Sequence, residues 1–413
     1  MLKKIHIDQL VLGMYIKEFC GSWMEHPFWR SSFLLEEKTD LASIRASSIK
    51  EVWIDSSKGL DAPKGTKVVE KAESQAQVEA SIQQAANAHY HIESVSLSEE
   101  INRAAKICTR SKQAMISMFE DTRMGKAVDS ASARTLVEEI SSSVIRNTSA
   151  LLSLARLKTA DDYTYMHSVA VCALMTALGR QLHLNEEQLH LAGMAGLLHD
   201  LGKAKIPLEI LNKPGKLTDA EFAIIRGHPS EGHKILLKTE GSFDTTTLDV
   251  CLHHHEKVDG SGYPEGLRDR DISLIAKMGA VCDVYDAITS NRPYKEGWNP
   301  AESIRKMAEW SQGHFDQNVF HAFVKSLGIY PTGSLVKLAS GKLGVVLEQT
   351  QASLLKPKVK AFYSVTSHAR IPTAVIDLSA PHCNDSILSR EDPAQWKFPD
   401  LVELWSGLAQ TPL

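Results

Sequence analysis

A dense cluster of potential metal ligands lies in the stretch LHHHEKVDGSGYP, residues 252–264. Three histidines, one glutamate and one aspartate fall within seven residues, and glycines and a proline follow them. Imidazole and carboxylate groups bind divalent transition metals, and glycine and proline let the backbone turn sharply beside such ligands. Packing alone does not favour this composition, because burying unpaired charge is costly. The stretch therefore predicts half of a metal site.

The other half is predicted by His199 and Asp200 in the stretch GLLHDLGK, residues 196–203. Neighbouring residues in a helix point ~100° apart, so both side chains can reach one ion only where the helix ends. Gly202 supplies such an end. Lys203 adds a positive charge where an anionic substrate would bind.

Three isolated residues could complete the ligand set. His167 and His228 stand alone on predicted helices, where a purely structural histidine is the more common case. Asp283 lies in the apolar segment AVCDVY, and a carboxylate in such surroundings needs a partner, for which a metal ion is suitable. Both interpretations stay open for each residue taken alone.

The composition is that of an ordinary globular protein with more than one domain. The chain has 413 residues, of which 43% are hydrophobic and 23% charged. The formal net charge of -4 argues against a protein that coats nucleic acid polymers. The six cysteines form no CxxC pair, which favours free thiols in a reducing compartment. Without a secretory signal or a run of transmembrane length, we expect a cytoplasmic protein that does not insert into a membrane.

Composition and periodicity divide this mainly α chain into five parts. They are a small mixed α/β N-terminal domain (1–58), a polar linker (59–69), a helical connecting region (70–157), a compact helical domain (158–330) and a C-terminal β-hairpin appendage with a tail (331–413). The candidate ligands all fall in the fourth part. Helices near 246–256 and 273–289 would carry the histidine cluster and Asp283, and Pro229 should interrupt a helix at His228.

Taken together in chain order, these motifs resemble the HD-GYP family, a branch of the HD-domain metal-dependent phosphohydrolases. The matching pieces are His167-Ser168, His199-Asp200-x-Gly202-Lys203, His228-Pro229, His254-His255-Glu256-x-x-Asp259-Gly260-x-Gly262-Tyr263-Pro264 and DVYDAITSNRPYK from Asp283 to Lys295. They cover about residues 150–330. The first 60 residues also resemble a small domain of uncharacterised role that precedes this module in one subgroup.

The resemblance implies an all-helical HD-type domain that hydrolyses cyclic di-GMP, a bacterial second messenger, to pGpG and/or GMP. A metal-bridged hydroxide would attack the phosphodiester, and the activity would lower cyclic di-GMP levels and so affect motility and biofilm behaviour. By position, one ion would be held by His167, His199, Asp200 and Asp283. The second would be held by Asp200, as a bridge, with His228, His254 and His255. His253 falls outside the motif, and Glu256 and Asp259 would be supporting residues.

The resemblance also implies roles in catalysis and substrate binding. The catalytic residues would be His199, Asp200 and Lys203. The substrate would be contacted by Lys203, Tyr263, Arg292 and Lys295. For the last three, a loop aromatic and solvated surface charge are the alternative interpretations.

The ligand types indicate which metals would bind. A mixed set of imidazoles and carboxylates suits Fe, Mn, Ni, Co or Zn better than Mg or Ca, and the family often uses Fe or Mn. Some members bind a third ion through a glutamate four residues before the first histidine. That position is Tyr163 here, a poor ligand, so we expect two divalent metal ions.

Two other functions stay open at this point. A catalytically silent receptor or scaffold would bind diguanylate cyclase (GGDEF) domains through the GYP loop, but degenerate members lose metal ligands and all seven positions are filled here. An HD phosphohydrolase that acts on another nucleotide would lack the GYP stretch. The helices of region 70–157 could also form a homodimer interface.

Overall fold

A computed structural model gives the conformation of most of the chain. It describes residues 2–20, 32–47, 49–63, 68–71, 73–74, 76, 95–157, 163–213, 215, 217–239, 243–290, 297–350 and 353–408. These ranges form a small N-terminal sheet, a large helical body and a C-terminal sheet. No helix within them is both long enough and apolar enough to cross a membrane.

The N-terminal unit is a five-stranded antiparallel sheet with one helix. Its elements are β1 (Leu2–His6), β2 (Tyr15–Cys20), β3 (Phe33–Leu34), α1 (Lys38–Ala46), β4 (Glu51–Asp55) and β5 (Val69–Glu70), with strand order β3-β2-β4-β1-β5. The apolar run Val52-Trp53-Ile54 is buried in β4, as its composition predicts. Strand β5 pairs with β1, so residues 69 and 70 belong to this sheet. A two-residue strand has no periodicity that could reveal it in the sequence.

The first helices of the body form one core together with the helices of the predicted site. They are α2 (Leu97–Arg123), α3 (Ser130–Arg146), α4 (Thr148–Ala155), α5 (Tyr163–Gln181) and α6 (Glu186–Leu198). Apolar side chains from all five, including Ile101, Ile107 and Met115, are buried in this core. The connecting region is therefore a packed part of the body, as expected for amphipathic helices.

The remaining helices of the body begin and end near the predicted positions. They are α7 (Leu208–Leu211), α8 (Asp219–Arg226), α9 (His228–Lys238), α10 (Thr245–His253), α11 (Leu274–Thr289), α12 (Pro300–His314) and α13 (Gln317–Leu327). Thr218 and Glu221 form the capping box of α8, and the Ser273 hydroxyl accepts from the backbone at the start of α11. Pro229 lies in the first turn of α9, so α8 ends before it. Helices α5, α11, α12 and α13 enclose a second apolar core.

The C-terminal unit is larger than the predicted hairpin. It contains β6 (Leu335–Leu338), β7 (Lys342–Thr350), β8 (Ser353–Ser364), β9 (Ala369–Asp377), β10 (Ile387–Arg390), α14 (Pro393–Trp396) and α15 (Leu401–Ser406), with strand order β10-β6-β7-β8-β9. The β6–β7 hairpin and the third strand β8 agree with the sequence. Strand β9 is mostly exposed and lacks the apolar alternation by which a strand is recognised. Phe362 and Trp405 join the core of α2–α6, which packs this unit on the helical body.

A buried ion pair joins α2 to α3. The Glu100 carboxylate is fully buried and accepts hydrogen bonds from Arg146 Nε and Nη2, each at 2.8 Å. It also accepts one from Ser143 Oγ at 2.8 Å. A bidentate guanidinium and a hydroxyl replace the water that this carboxylate loses on burial.

We predict that Glu100→Ala lowers the free energy of unfolding by about 2–4 kcal/mol, because Arg146 and Ser143 then lose their acceptor. Urea denaturation followed by circular dichroism measures this. Glu138→Ala, at an exposed position of α3, is the matched control and should change stability by less than about 0.5 kcal/mol. Equal effects of the two substitutions would contradict the role of the buried pair.

Candidate metal centre

The predicted ligands come together in one pocket between five helices. Helices α5 and α11 contribute residues from within the helix, α9 contributes its first residue, and α6 and α10 contribute residues that follow their ends. Six of the seven side chains are buried and that of His255 is partly buried. In chain order they are His167, His199, Asp200, His228, His254, His255 and Asp283.

The donor atoms form two adjacent groups, and within each group they lie within 4.8 Å of one another. One group contains His167, His199 and Asp283. The other contains Asp200, His228, His254 and His255. The first group lacks Asp200, which the motifs assign to both sets, and the assignment of ligands to two ions stays a prediction.

Asp200 lies between the two groups and faces both. Its Oδ2 is 3.4 Å from Nε2 of His167 and 3.4 Å from Nε2 of His199. Its Oδ1 is 3.1 Å from Nε2 of His228. One oxygen of this carboxylate is therefore close to each group of donor atoms.

Two histidines of the pocket are oriented by backbone carbonyls at the ends of their helices. Nδ1 of His199 donates to the Gly196 carbonyl at 2.8 Å, and Nδ1 of His228 donates to the Ile225 carbonyl at 2.7 Å. A carbonyl only accepts, so Nδ1 must carry the proton in each ring. In a neutral imidazole, Nε2 then presents a lone pair to the pocket.

The same orientation holds for two further rings. Nδ1 of His254 donates to the Val250 carbonyl at 3.0 Å. Nδ1 of His167 donates to Oδ2 of Asp286 at 2.6 Å. Both rings therefore also direct Nε2 inward, and the Asp286 contact is the carboxylate–histidine arrangement that commonly orients a metal ligand.

The inward nitrogens face other acceptors at short range. Nε2 of His167 is 3.2 Å from Nε2 of His199, and Nε2 of His228 is 3.2 Å from Nε2 of His254. Within the described part of the chain, Asp200 Oδ1 and Asp283 Oδ2 are buried without a hydrogen-bond partner. Lone pairs that face lone pairs repel, and an unpaired buried carboxylate oxygen is costly. This donor set therefore fits divalent metal ions.

The titration behaviour agrees with a site for cations. Burial lowers the pKa of His254 well below its usual value and that of His255 to about 3, so both rings are neutral and available as ligands. Burial works to raise the pKa of Asp200, but the Lys203 ammonium holds it well below its usual range.

Gly202 brings Asp200 close to His228. A Cβ on Gly202 would lie 1.9 Å from the His228 carbonyl oxygen and 2.5 Å from the Gly232 amide nitrogen. The 3₁₀ turn Leu201–Lys205 therefore lies directly against the start of α9. Helix α6 already ends at Leu198, so Gly202 is needed for this close approach rather than for ending the helix.

The GYP segment, defined here as residues 256–268, follows the last histidine ligand. The Glu256 carboxylate is buried and accepts from the backbone amides of Glu265, Gly266 and Leu267 at 2.7–3.0 Å. It braces the loop, as expected. His253 points away from the ligands and its Nδ1 is 2.7 Å from Asp249 Oδ1.

The structure describes two of the four residues that are predicted to contact the substrate, Lys203 and Tyr263. The Lys203 ammonium contacts Asp200 Oδ2 and its side chain is mostly covered. The Tyr263 ring stacks on His255 with centroids 4.7 Å apart, and the Arg226 guanidinium lies 4.5 Å over the same ring. Arg292 and Lys295 lie outside the described residues.

Sequence reasoning assigned no role to two residues of the surroundings, Asp286 and Arg226. The signal for Asp286 was its spacing of three residues from Asp283, which places both on one side of α11. Arg226 resembled an ordinary cation in the last turn of a helix. Tyr163, which replaces a possible third-metal ligand, stacks on the His167 ring at 5.5 Å.

Comparison with known proteins agrees with this geometry. Residues 2–133 match a domain of unknown function (DUF3391), and residues 140–319 match the HD domain. The chain is 55% identical to cyclic di-GMP phosphodiesterase PA4108 of Pseudomonas aeruginosa, over 100% of this chain and 97% of that protein. It is 41% identical to the cyclic di-GMP phosphodiesterase response regulator RpfG of Xanthomonas campestris, over 35% of this chain and 40% of that protein. It is 36% identical to 3'3'-cGAMP-specific phosphodiesterase 1 of Vibrio cholerae, over 40% of this chain and 38% of that protein.

We predict that Asp286→Ala weakens metal binding about 10- to 100-fold, because the His167 ring loses the acceptor that orients it. Calorimetric titration of metal-depleted protein with Mn²⁺ measures the affinity. Asp249→Ala is the matched control, because it removes an aspartate at 2.7 Å from Nδ1 of His253, outside the ligand groups. If the two substitutions weakened binding equally, the orienting role of Asp286 would be wrong.

Proposed function

The chain belongs to the HD-GYP family of HD-domain phosphohydrolases, and on that premise we propose that it is a metal-dependent phosphodiesterase that hydrolyses cyclic di-GMP. The observation that carries the proposal is the pocket in which histidine lone pairs and aspartate oxygens converge on shared space. The similarity to PA4108 extends over the full chain, which supports cyclic di-GMP as the substrate.

We propose two divalent ions, iron or manganese, one at each ligand group. The donor atoms in the two groups, with Asp200 between them, support this number. Imidazole and carboxylate donors in these proportions favour first-row transition metals over Mg or Ca. When bound, two such ions supply a water of lowered pKa as the nucleophile and offset the charge of the phosphodiester.

The side chains of this protein would organise the reaction around that chemistry. Asp200, with one oxygen toward each group, sets the separation of the two ligand sets. Asp286 holds the His167 ring with Nε2 inward. Lys203 brings an ammonium to the edge of the ligand groups, where it would balance negative charge on the phosphate during the reaction.

Substrate contacts are proposed at the side of the pocket that the GYP segment covers. Tyr263 lies one ring away from the ligands through its stack on His255. Arg292 and Lys295 are proposed to bind phosphate from their motif positions alone. Because a Vibrio cholerae relative is specific for 3'3'-cGAMP, both cyclic dinucleotides are needed as assay substrates.

Several more detailed expectations from the sequence remain predictions. They are the release of pGpG or GMP, the binding of diguanylate cyclase domains through the GYP loop, the homodimer and the cytoplasmic location. The same holds for the division into domains at 58, 69, 157 and 330.

We predict that Asp200→Ala abolishes both metal binding and cyclic di-GMP hydrolysis while the helical circular dichroism spectrum persists, because it removes the carboxylate that lies between the two ligand groups. Chromatography of the products and elemental analysis measure the two properties.

A second prediction compares two consecutive residues. His254→Ala should lower kcat/KM by at least ~100-fold, and His253→Ala should leave it nearly unchanged. Wild-type turnover by either Asp200→Ala or His254→Ala would overturn the proposed site.

We predict two metal ions per chain in protein purified with its native metals. Tyr163 offers a phenol ring stacked on His167 where a third ion would need a carboxylate. Elemental analysis against protein concentration, followed by a metal-bound crystal structure, counts the ions. Three ions in the pocket would contradict the prediction.

A further inference from the structure

The N-terminal sheet contacts the GYP segment through an ion pair. Lys50 immediately precedes β4, and its ammonium contacts Oδ2 of Asp259. The backbone at Lys50 is held in the sheet, because its carbonyl accepts from the Ile7 amide at 2.8 Å. A residue of the domain of unknown function thus reaches the loop beside the metal centre.

Asp259 stabilises a turn near the start of the GYP segment. Its Oδ1 accepts from the Ser261 amide at 2.8 Å and from the Ser261 hydroxyl at 2.6 Å. Its own amide donates to the Gly313 carbonyl at the end of α12 at 3.1 Å. Asp259 therefore connects the turn and the N-terminal sheet through its carboxylate, and helix α12 through its backbone amide.

A second ion pair and an apolar contact support the same docking. Glu18 of β2 accepts from the Lys306 ammonium of α12 at 2.7 Å. Cys20, at the end of β2, packs against the core formed by α5 and α11–α13. Cys20 pairs with Glu51 in the sheet, so it lies beside Lys50 at the same end of the unit. The contact with Asp259 is therefore part of an interface.

A shift of the turn at Asp259 would affect the position of His255, because Tyr263 contacts this residue. The Tyr263 amide donates to the His255 carbonyl at 3.2 Å, and the Tyr263 ring stacks on the His255 ring. Asp259 lies between these two residues in the chain. Metal ligation itself does not pass through Asp259, because His254 and His255 are placed by the end of α10.

The charge of Asp259 suits this role. Burial works to raise the pKa of its carboxyl, but the bonds from Lys50 and Ser261 lower it below the usual value. The carboxylate is therefore ionised at neutral pH, and its attraction to Lys50 persists there. One partner is half exposed, so the expected contribution is modest.

We propose that Lys50 is a positioning residue for the phosphodiesterase reaction, and that the N-terminal domain holds the GYP segment in its substrate-binding conformation through the Lys50–Asp259 pair. The expected change in KM rests on the proposed function. The expected change in the conformation of the GYP segment rests only on the contacts of the interface. The Lys50–Asp259 pair gives the domain of unknown function a role in shaping the side of the pocket that the GYP segment covers.

The kinetic test compares Lys50→Glu with Lys17→Glu in the full-length metal-loaded protein. Lys17 lies in β2 of the same sheet, next to Glu18, and its side chain is exposed. Lys50→Glu should raise KM for cyclic di-GMP by about five- to tenfold, with kcat within about twofold and metal content unchanged. Lys17→Glu should behave as wild type.

A conservative variant separates positioning from a general loss of structure. Lys50→Gln removes the charge but keeps a polar side chain, and it should raise KM in the same direction as Lys50→Glu by a smaller factor. Lys50→Arg should stay close to wild type. Equal KM changes in Lys50→Glu and Lys17→Glu, or an unchanged KM in Lys50→Glu, would overturn the proposal.

A structural readout keeps this inference distinct from the proposed function. Amide hydrogen exchange of a peptide that covers 257–268 should be faster in Lys50→Glu than in wild type, because the Ser261 amide loses a well-placed acceptor. This measurement needs no turnover. If wild-type protein failed to cleave cyclic di-GMP while the exchange difference appeared, only the proposed function would fall. If wild-type protein cleaved it and exchange stayed the same, the bracing role would fall.

Discussion

Imidazole nitrogens and carboxylate oxygens lie so close together in the pocket that positive charge is needed to offset their repulsion. Four imidazole rings direct Nε2 inward, and each does so because its Nδ1 donates to an acceptor outside the pocket. Two such nitrogen pairs are 3.2 Å apart, and carboxylate oxygens lie among them. In a buried environment this repulsion is large. The neighbouring helices therefore have to be packed firmly enough to hold the groups together.

The packing that does this is concentrated at helix ends. Carbonyls from the last turns of α6, α8 and α10 accept from the ligand histidines, so groups left unbonded by the helices orient the rings. Gly202 lets the turn after Asp200 approach the start of α9 without a steric clash. Helices α2–α4 share a core with α5 and α6, which extends the support well beyond the ligands. The ligand side chains are therefore fixed by the packing of the helices that carry them.

The side of the pocket near Tyr263 is built differently. The GYP segment has little regular structure and is held by the Glu256 carboxylate within and by contacts from α12 and the N-terminal sheet outside. Loops braced by a few polar contacts adjust more easily than packed helices. The division gives the protein a rigid metal centre beside a loop whose conformation depends on a second domain. That dependence offers a physical reason for the two domains to occur in one chain.

Much of the site was determined by the sequence alone. The ligand types, their order and the helices that carry them follow from residue chemistry, hydrophobic period and caps such as Thr218 and Ser273, all of which are local. The tertiary structure alone decided which ring nitrogen faces inward and that Gly202 serves a close approach. It also decided that β5 belongs to the first sheet and that Lys50, 209 residues before Asp259, contacts it. These features depend on residues that are distant in the chain and leave no local periodicity or motif, so only folding brings them together.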